Sequence, residues 1–317
     1  MKRFQKVMAV SACAAMALSL TACGNGGSSA KYTQVGFGMV TSASKQEDDS
    51  YQINTTMATV ALDADGKIAY VDLDVAQQKT NDASELRTKM EKKEDYGMKA
   101  ISEKTGIGKE LYEQVEFLEE KLIGMTPEDV ANIEVYQKDE HHTSVPKEGT
   151  DLAAGCTISI GDYQAAIAKA CANMTAVEAD KVGAGEVISV DAAKGQVNTT
   201  VASVALDKDG KVVWSYLDVA QTSNDSDVRS KKEKKEDYGM KAISEKTGIG
   251  KELYEQLAFF EEKLNGMTAD DVKNIEVYDK DDEHKSVPAQ GSDLAAGCTI
   301  SIAAYQEALA EAFETAK

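Results

Sequence analysis

Residues 91–114 read EKKEDYGMKAISEKTGIGKELYEQ, and the same letters return without change as residues 233–256. Working outward, Asn54-Thr55-Thr56 returns as Asn198-Thr199-Thr200, and Leu73-Asp74-Val75-Ala76-Gln77 as Leu217-Asp218-Val219-Ala220-Gln221. Asp151 to Ile160 comes back, letter for letter, as Asp293 to Ile302. The chain therefore reads as two tandem copies of one unit, residues 31–176 and 177–317. Each is the size of an ordinary single domain. Two long copies are too few for a solenoid.

Within a copy the pattern changes from strand to helix. Met57 to Leu62 and Lys67 to Val75 are β-prone runs around Asp63-Ala64-Asp65-Gly66, and the second copy repeats this around Asp207-Lys208-Asp209-Gly210. Asp-Gly between such runs signals a hairpin turn. A calcium loop is excluded because its further ligands and closing glutamate are missing. From Lys109 to Ile123, Leu111, Val115, Leu118 and Leu122 fall on one helical face, and Gly124 ends the pattern. Thr126-Pro127 opens another helix as cap and first position, and Ile133 to Tyr136 reads as a strand. The fold class this predicts is α+β, with helices and antiparallel sheet in each copy.

The N-terminus speaks to location. Lys2, Arg3 and Lys6 precede an uncharged run, Val7 to Leu20, that is too short to span a bilayer. It ends in Leu20-Thr21-Ala22-Cys23-Gly24, which resembles a bacterial lipobox. The resemblance implies a lipoprotein signal peptide over residues 1–22, lipidation of Cys23 and a place on the extracellular face of the cell membrane. Two acyl chains hold a protein there stably. Residues 23–30, rich in glycine and serine, read as a flexible tether. Loss of residues 1–22 moves the formal charge from −19 to −22, which disfavours nucleic acid as a partner. Only Cys156, Cys171 and Cys298 then remain besides the anchor, with no CxxC pair, so haem, iron–sulfur and zinc chemistry find no cysteine framework.

The stretch that carries chemistry is Asp151-Leu152-Ala153-Ala154-Gly155-Cys156-Thr157-Ile158-Ser159, matched by Asp293-Leu294-Ala295-Ala296-Gly297-Cys298-Thr299-Ile300-Ser301. Apolar spacing after it predicts a helix in each copy, with Ser159 and Ser301 as N-caps. Thr157 and Thr299 would then stand just before a helix N-terminus, where free amides favour a phosphate. Gly155 and Gly297 would allow close backbone approach.

This loop resembles the motif of the FMN-binding domain family, Asp-x-x-(Ser/Thr)-Gly-Ala-Thr-x-(Ser/Thr). Asp151, Gly155, Thr157 and Ser159 match it, as do Asp293, Gly297, Thr299 and Ser301. Ala154 and Ala296 replace the usual hydroxyl residue, and Cys156 and Cys298 the usual alanine. With the lipobox and the duplication, the mature chain is similar to two-domain flavinylated lipoproteins of Gram-positive extracellular electron transfer. The resemblance implies two covalent FMN groups, esterified to Thr157 and Thr299 by a flavin transferase. It also implies a membrane NADH- or quinone-linked electron donor and extracellular acceptors. The chain would then be a redox carrier without catalytic residues of its own, since the flavin supplies the chemistry.

Other residues have plainer readings. Cys156 and Cys298 suit small buried positions, and Cys171 aligns with Phe313 as core. His141, His142 and His284 read as surface histidines and not metal ligands. Tyr96, Met98, Tyr238 and Met240 suit either a flavin face or a core. The alternative function is a lipid-anchored solute-binding protein holding a small molecule non-covalently. A hydrolase lacks a recurring Ser/His/Asp set.

Overall fold

The computed structural model describes residues 30–317 apart from residues 106, 141, 248 and 283. The expected signal peptide, Cys23, the expected tether up to residue 29 and His141 lie outside the described residues.

Strands β1 (Tyr32–Lys45), β2 (Tyr51–Leu62) and β3 (Ile68–Lys79) form an antiparallel meander. The β2–β3 hairpin turns at Asp63, whose carboxylate accepts from the amides of Asp65 and Lys67, both at 2.9 Å, while Gly66 takes the left-handed conformation. Short helices α1 (Lys89–Lys92) and α2 (Lys99–Ser102) lead into α3 (Leu111–Leu122). Glu110 and Glu113 cap α3 reciprocally, and its buried stripe holds Leu111, Val115, Leu118 and Leu122. Thr126 caps α4 (Pro127–Ala131), with proline at the first position. A two-residue ladder of β4 (Val135–Tyr136) and β5 (Val145–Pro146) precedes α5 (Gly161–Ala172).

The same order follows again. After β6 (Thr175–Ala179), which pairs with β1, come β7 (Lys181–Asp191), β8 (Gln196–Leu206) and β9 (Val212–Thr222). Then come α6 (Lys231–Lys234), α7 (Lys241–Ser244), α8 (Leu253–Leu264), α9 (Ala269–Lys273), β10 (Val277–Tyr278), β11 (Val287–Pro288) and α10 (Ala303–Thr315). The sheet orders are β3-β2-β1-β6 and β7-β8-β9, both antiparallel, so the class is α+β.

The long strands are buried on both faces. On β2, Ala58, Val60 and Leu62 face α3 and α5, whereas Met57 and Ala61 face the second sheet. The layers thus run helix, sheet, sheet, helix, with Met39, Ile53 and Met57 packed on Ile188, Val197 and Val201 between the sheets. At the centre Thr59 Oγ1 and Ser203 Oγ, which occupy the same place in the two halves, share a hydrogen bond of 2.6 Å. Phe37 stacks on Tyr216 at 4.8 Å.

Glycine sets the distance between α5 and β1. A Cβ on Gly38 would stand 2.2 Å from the Ala166 carbonyl oxygen, and one on Gly185 would stand 2.3 Å from that of Ala308. Larger residues at either place would push helix from sheet and open the core beneath.

Candidate functional site

The loop before α5 turns on buried Leu152 and Cys156, the Cys156 amide donating to the Leu152 carbonyl at 2.9 Å. This presents Thr157 to α3. The amide and the hydroxyl of Thr157 both donate to Gln114 Oε1, at 2.9 and 3.2 Å. Gln114 is fully buried, and its Nε2 donates to Met98 Sδ and the Lys109 carbonyl, both at 3.4 Å. Thr299 and Gln256 repeat the arrangement at 2.9 and 3.3 Å. One rigid acceptor therefore fixes both the backbone and the hydroxyl of the threonine while leaving the hydroxyl oxygen's lone pairs unspent.

Ile158 and Ser159, the two residues that follow Thr157, border a cavity of about 320 Å³ whose lining does not include Thr157 itself. Asn54, Thr56, Val75 and Gln77 form its floor from β2 and β3; Lys89, Tyr96, Met98 and Leu111 close the helical side. The loop and α5 complete it with His142, Ile158, Ser159, Asp162 and Tyr163. Gln77 Nε2 donates to Asn54 Oδ1 at 2.8 Å, which orders both amides, and Gln221 and Asn198 do the same at 2.9 Å. Burial lowers the Lys89 ammonium from its ordinary range, with Asp74 and Asp162 opposing that shift. Burial raises the Tyr163 phenol well above its usual value, so the ring is neutral.

The residues present suit a flavin phosphate ester by the chemistry of this donor set. Ser159 Oγ, in the cavity wall, is buried and has no hydrogen-bond partner within the protein. A buried hydroxyl without a partner is costly, and a polar ligand group would satisfy it. The floor amides suit the polar edge of a heteroaromatic ring, and Met98, Leu111 and Tyr163 supply apolar walls.

Several sequence expectations change here. Ser159 and Ser301 are not N-caps: the cap positions are Ile160 and Ile302, in helical backbone without side-chain caps. The Ser144 hydroxyl accepts from the Gly161 amide at 3.0 Å instead, so a neighbouring loop does the capping. Asp151 and Asp293 are exposed and border separate cavities, with Leu122 and Met125 and with Phe260 and Met267 respectively. Gly155 and Gly297 lie against aromatic rings: an added Cβ would come 2.5 Å from Phe117 and 2.4 Å from Phe259. Cys156 and Cys298 are buried, and burial pushes their thiols up to about 11 and about 12, so they stay protonated. Cys171 packs against the first core, as its alignment with Phe313 implies. Tyr96 and Met98 serve both readings, as cavity wall and as core contacts. His142 and His284 are exposed and held by Asp139 and Asp281 at 2.8 Å, yet His142 also borders the cavity.

Gln114 and Gln256 were not singled out by sequence reasoning, although each is the last residue of the repeated stretch. Lys89 and Lys231 sit just ahead of it and equally went unread. Among the described residues no group of three or more His, Cys, Asp or Glu side chains is placed to hold a metal, and no helix is long and apolar enough to cross a membrane. Comparison with models of known protein families, with curated proteins and with solved structures found no match.

Proposed function

We propose that the chain is two copies of one FMN-binding domain, with one FMN esterified to Thr157 and one to Thr299. Anchored through Cys23 outside the cell, it would pass electrons from a membrane donor to extracellular acceptors. The observation that carries this reading is the Thr157 hydroxyl, held by a buried glutamine and two residues before Ser159, whose own hydroxyl is unpartnered in a cavity wall. The same threonine–glutamine pair stands in the second half. When bound, the flavin supplies the redox chemistry. The residues hold and shield it: Thr157 as the tether, Ser159 and the Asn54–Gln77 pair as hydrogen-bonding partners, and Tyr163 and Met98 as walls that limit water. In attachment, the threonine oxygen would form a new bond to the FMN phosphorus of FAD as the pyrophosphate P–O bond breaks; AMP would leave with that bond's electron pair and the hydroxyl proton would pass to the medium.

The test is intact mass and peptide mapping of the chain made alongside a flavin transferase. Two FMN additions are expected, on the peptides containing Thr157 and Thr299, and they persist after denaturation. Thr157→Ala removes one and leaves the other. Unmodified threonines on both peptides would overturn the proposal and favour a site for a dissociable small molecule.

A further inference from the structure

Of the residues that line the first cavity, only one has a different counterpart in the second half: Asp162 is matched by Ala304. Resting on the flavin reading above, we infer that this difference makes a flavin on Thr299 easier to reduce than one on Thr157, so that the second half is the electron sink of the pair.

The argument starts from charge. Lys89 is the cationic side chain in the first cavity wall, and Asp162 and Asp74 both face it electrostatically. Its counterpart Lys231 has Asp218 alone. Lys89 and Lys231 sit over the equivalent rings of Tyr96 and Tyr238, at 5.6 and 5.4 Å, so the two ammonium groups occupy the same place. Lys89 therefore has two carboxylates and Lys92 about it, whereas Lys231 has the single carboxylate of Asp218.

The ground behind Lys89 and Lys231 adds to the difference. Asp74, beneath Lys89 and Tyr163, borders Glu186 of the second half, which in turn is next to Glu311. Asp218, at the equivalent place, accepts from the Lys232 amide at 3.0 Å, and the Lys232 ammonium stands 2.5 Å from Glu261. Asp74 is thus joined by the further carboxyls of Glu186 and Glu311, whereas Asp218 stands beside the Lys232–Glu261 ion pair. Reduction of a flavin ring takes up two electrons and, near neutral pH, one proton at N5, leaving the ring one unit more negative. Nearby negative charge opposes that change and nearby positive charge assists it.

The experiment uses the full chain carrying FMN, with dithionite as reductant in a spectroscopic redox titration. Thr157→Ala leaves only the second flavin and Thr299→Ala only the first, and intact mass verifies each single adduct. The flavin on Thr299 is expected at the higher potential by about tenfold in its reduction equilibrium, or about 30 mV for a two-electron couple. Ala304→Asp lowers the second potential and Asp162→Ala raises the first, and both differences shrink in high salt, because Asp162 is exposed. Fold and adduct mass are unchanged in either variant, which separates charge from structure. Equal potentials, or the reverse order, with both adducts in place overturn this inference alone. Absence of FMN from both threonines overturns it together with the function on which it rests.

Discussion

One buried glutamate of the first half, Glu119, has no ion-pair partner within bonding distance among the described residues, whereas its counterpart in the second half, Glu261, has one. Glu119 and Glu261 occupy the same place on α3 and α8, accepting from the amides of Leu73 and Leu217 at 2.7 and 2.6 Å, and so satisfy the outer edges of β3 and β9. Glu261 has the Lys232 ammonium at 2.5 Å; at the position of Lys232 the first half has Met90. The surface between the halves shows the same contrast. Lys169 reaches Glu233 at 2.6 Å, while the equivalent residue of the second half is Glu311, which faces Glu91. Backbone and core tolerate the exchange because each carboxylate is first a partner for an edge amide, and its cation is a separate choice.

That comparison can be broken or sharpened by measurement. The largest effect tests what the halves share: Gly38→Ala or Gly185→Ala forces a Cβ onto a helix carbonyl and is expected to cost about 3 kcal/mol in denaturant unfolding. A tolerated alanine at one site only would show that the two helix–sheet contacts are not equivalent.

Next, Gln114→Leu should destabilise the chain by about 2 kcal/mol, since it orphans the Thr157 amide and hydroxyl. It should also deplete the adduct at Thr157 while sparing Thr299, as read by peptide mapping. Equal loss at both threonines would mean that the halves do not act separately.

The third concerns pH. Burial first, then neighbouring acids, push Glu119 up to about 8 and Asp72 up to about 6; burial and nearby carboxylates hold Glu311 at about 7. Each binds its proton more tightly folded than unfolded. Their stabilising contribution is therefore complete below about pH 4, the ordinary carboxylate range, and is lost as pH rises through 6 to 8. The melting temperature should fall from about pH 5 to about pH 8.5. Met90→Lys should flatten that fall by giving Glu119 the cation that Glu261 has, and Lys232→Met should steepen it. A flat profile in the unaltered chain would remove the contrast drawn between the halves.

The smallest effect belongs to the half-exposed pair at the seam. Lys169→Ala should cost about 1 kcal/mol or less, diminishing with salt.

Local signals were the ones legible in the sequence. The Asp-Gly turns, the α3 stripe and the Thr126-Pro127 start depend on neighbours within a few residues, and they stand where patterning puts them. Strand β1 was not read, because its alternation is interrupted by Gly36 and Gly38, whose bareness answers to a helix more than 120 residues away. The cap of α5 was misread for a similar reason, since Ser144 comes from another loop. At the site, Thr157 was legible through its repeated motif, but Gln114 was hidden in an identical stretch where every letter looked equally telling. Only the fold shows which of those letters meets the threonine.

The hydrogen bond between Thr59 and Ser203 marks the point where a position touches its own counterpart. Around such a point, an assembly of two identical subunits would have to present the same residue at both ends of its seam, so that any lysine gained on one side would be gained on the other. A single continuous polypeptide is free of that obligation. It can station Lys169 at one end and Glu311 at the other, and so acquire a polarity that no symmetric pair of identical chains could possess.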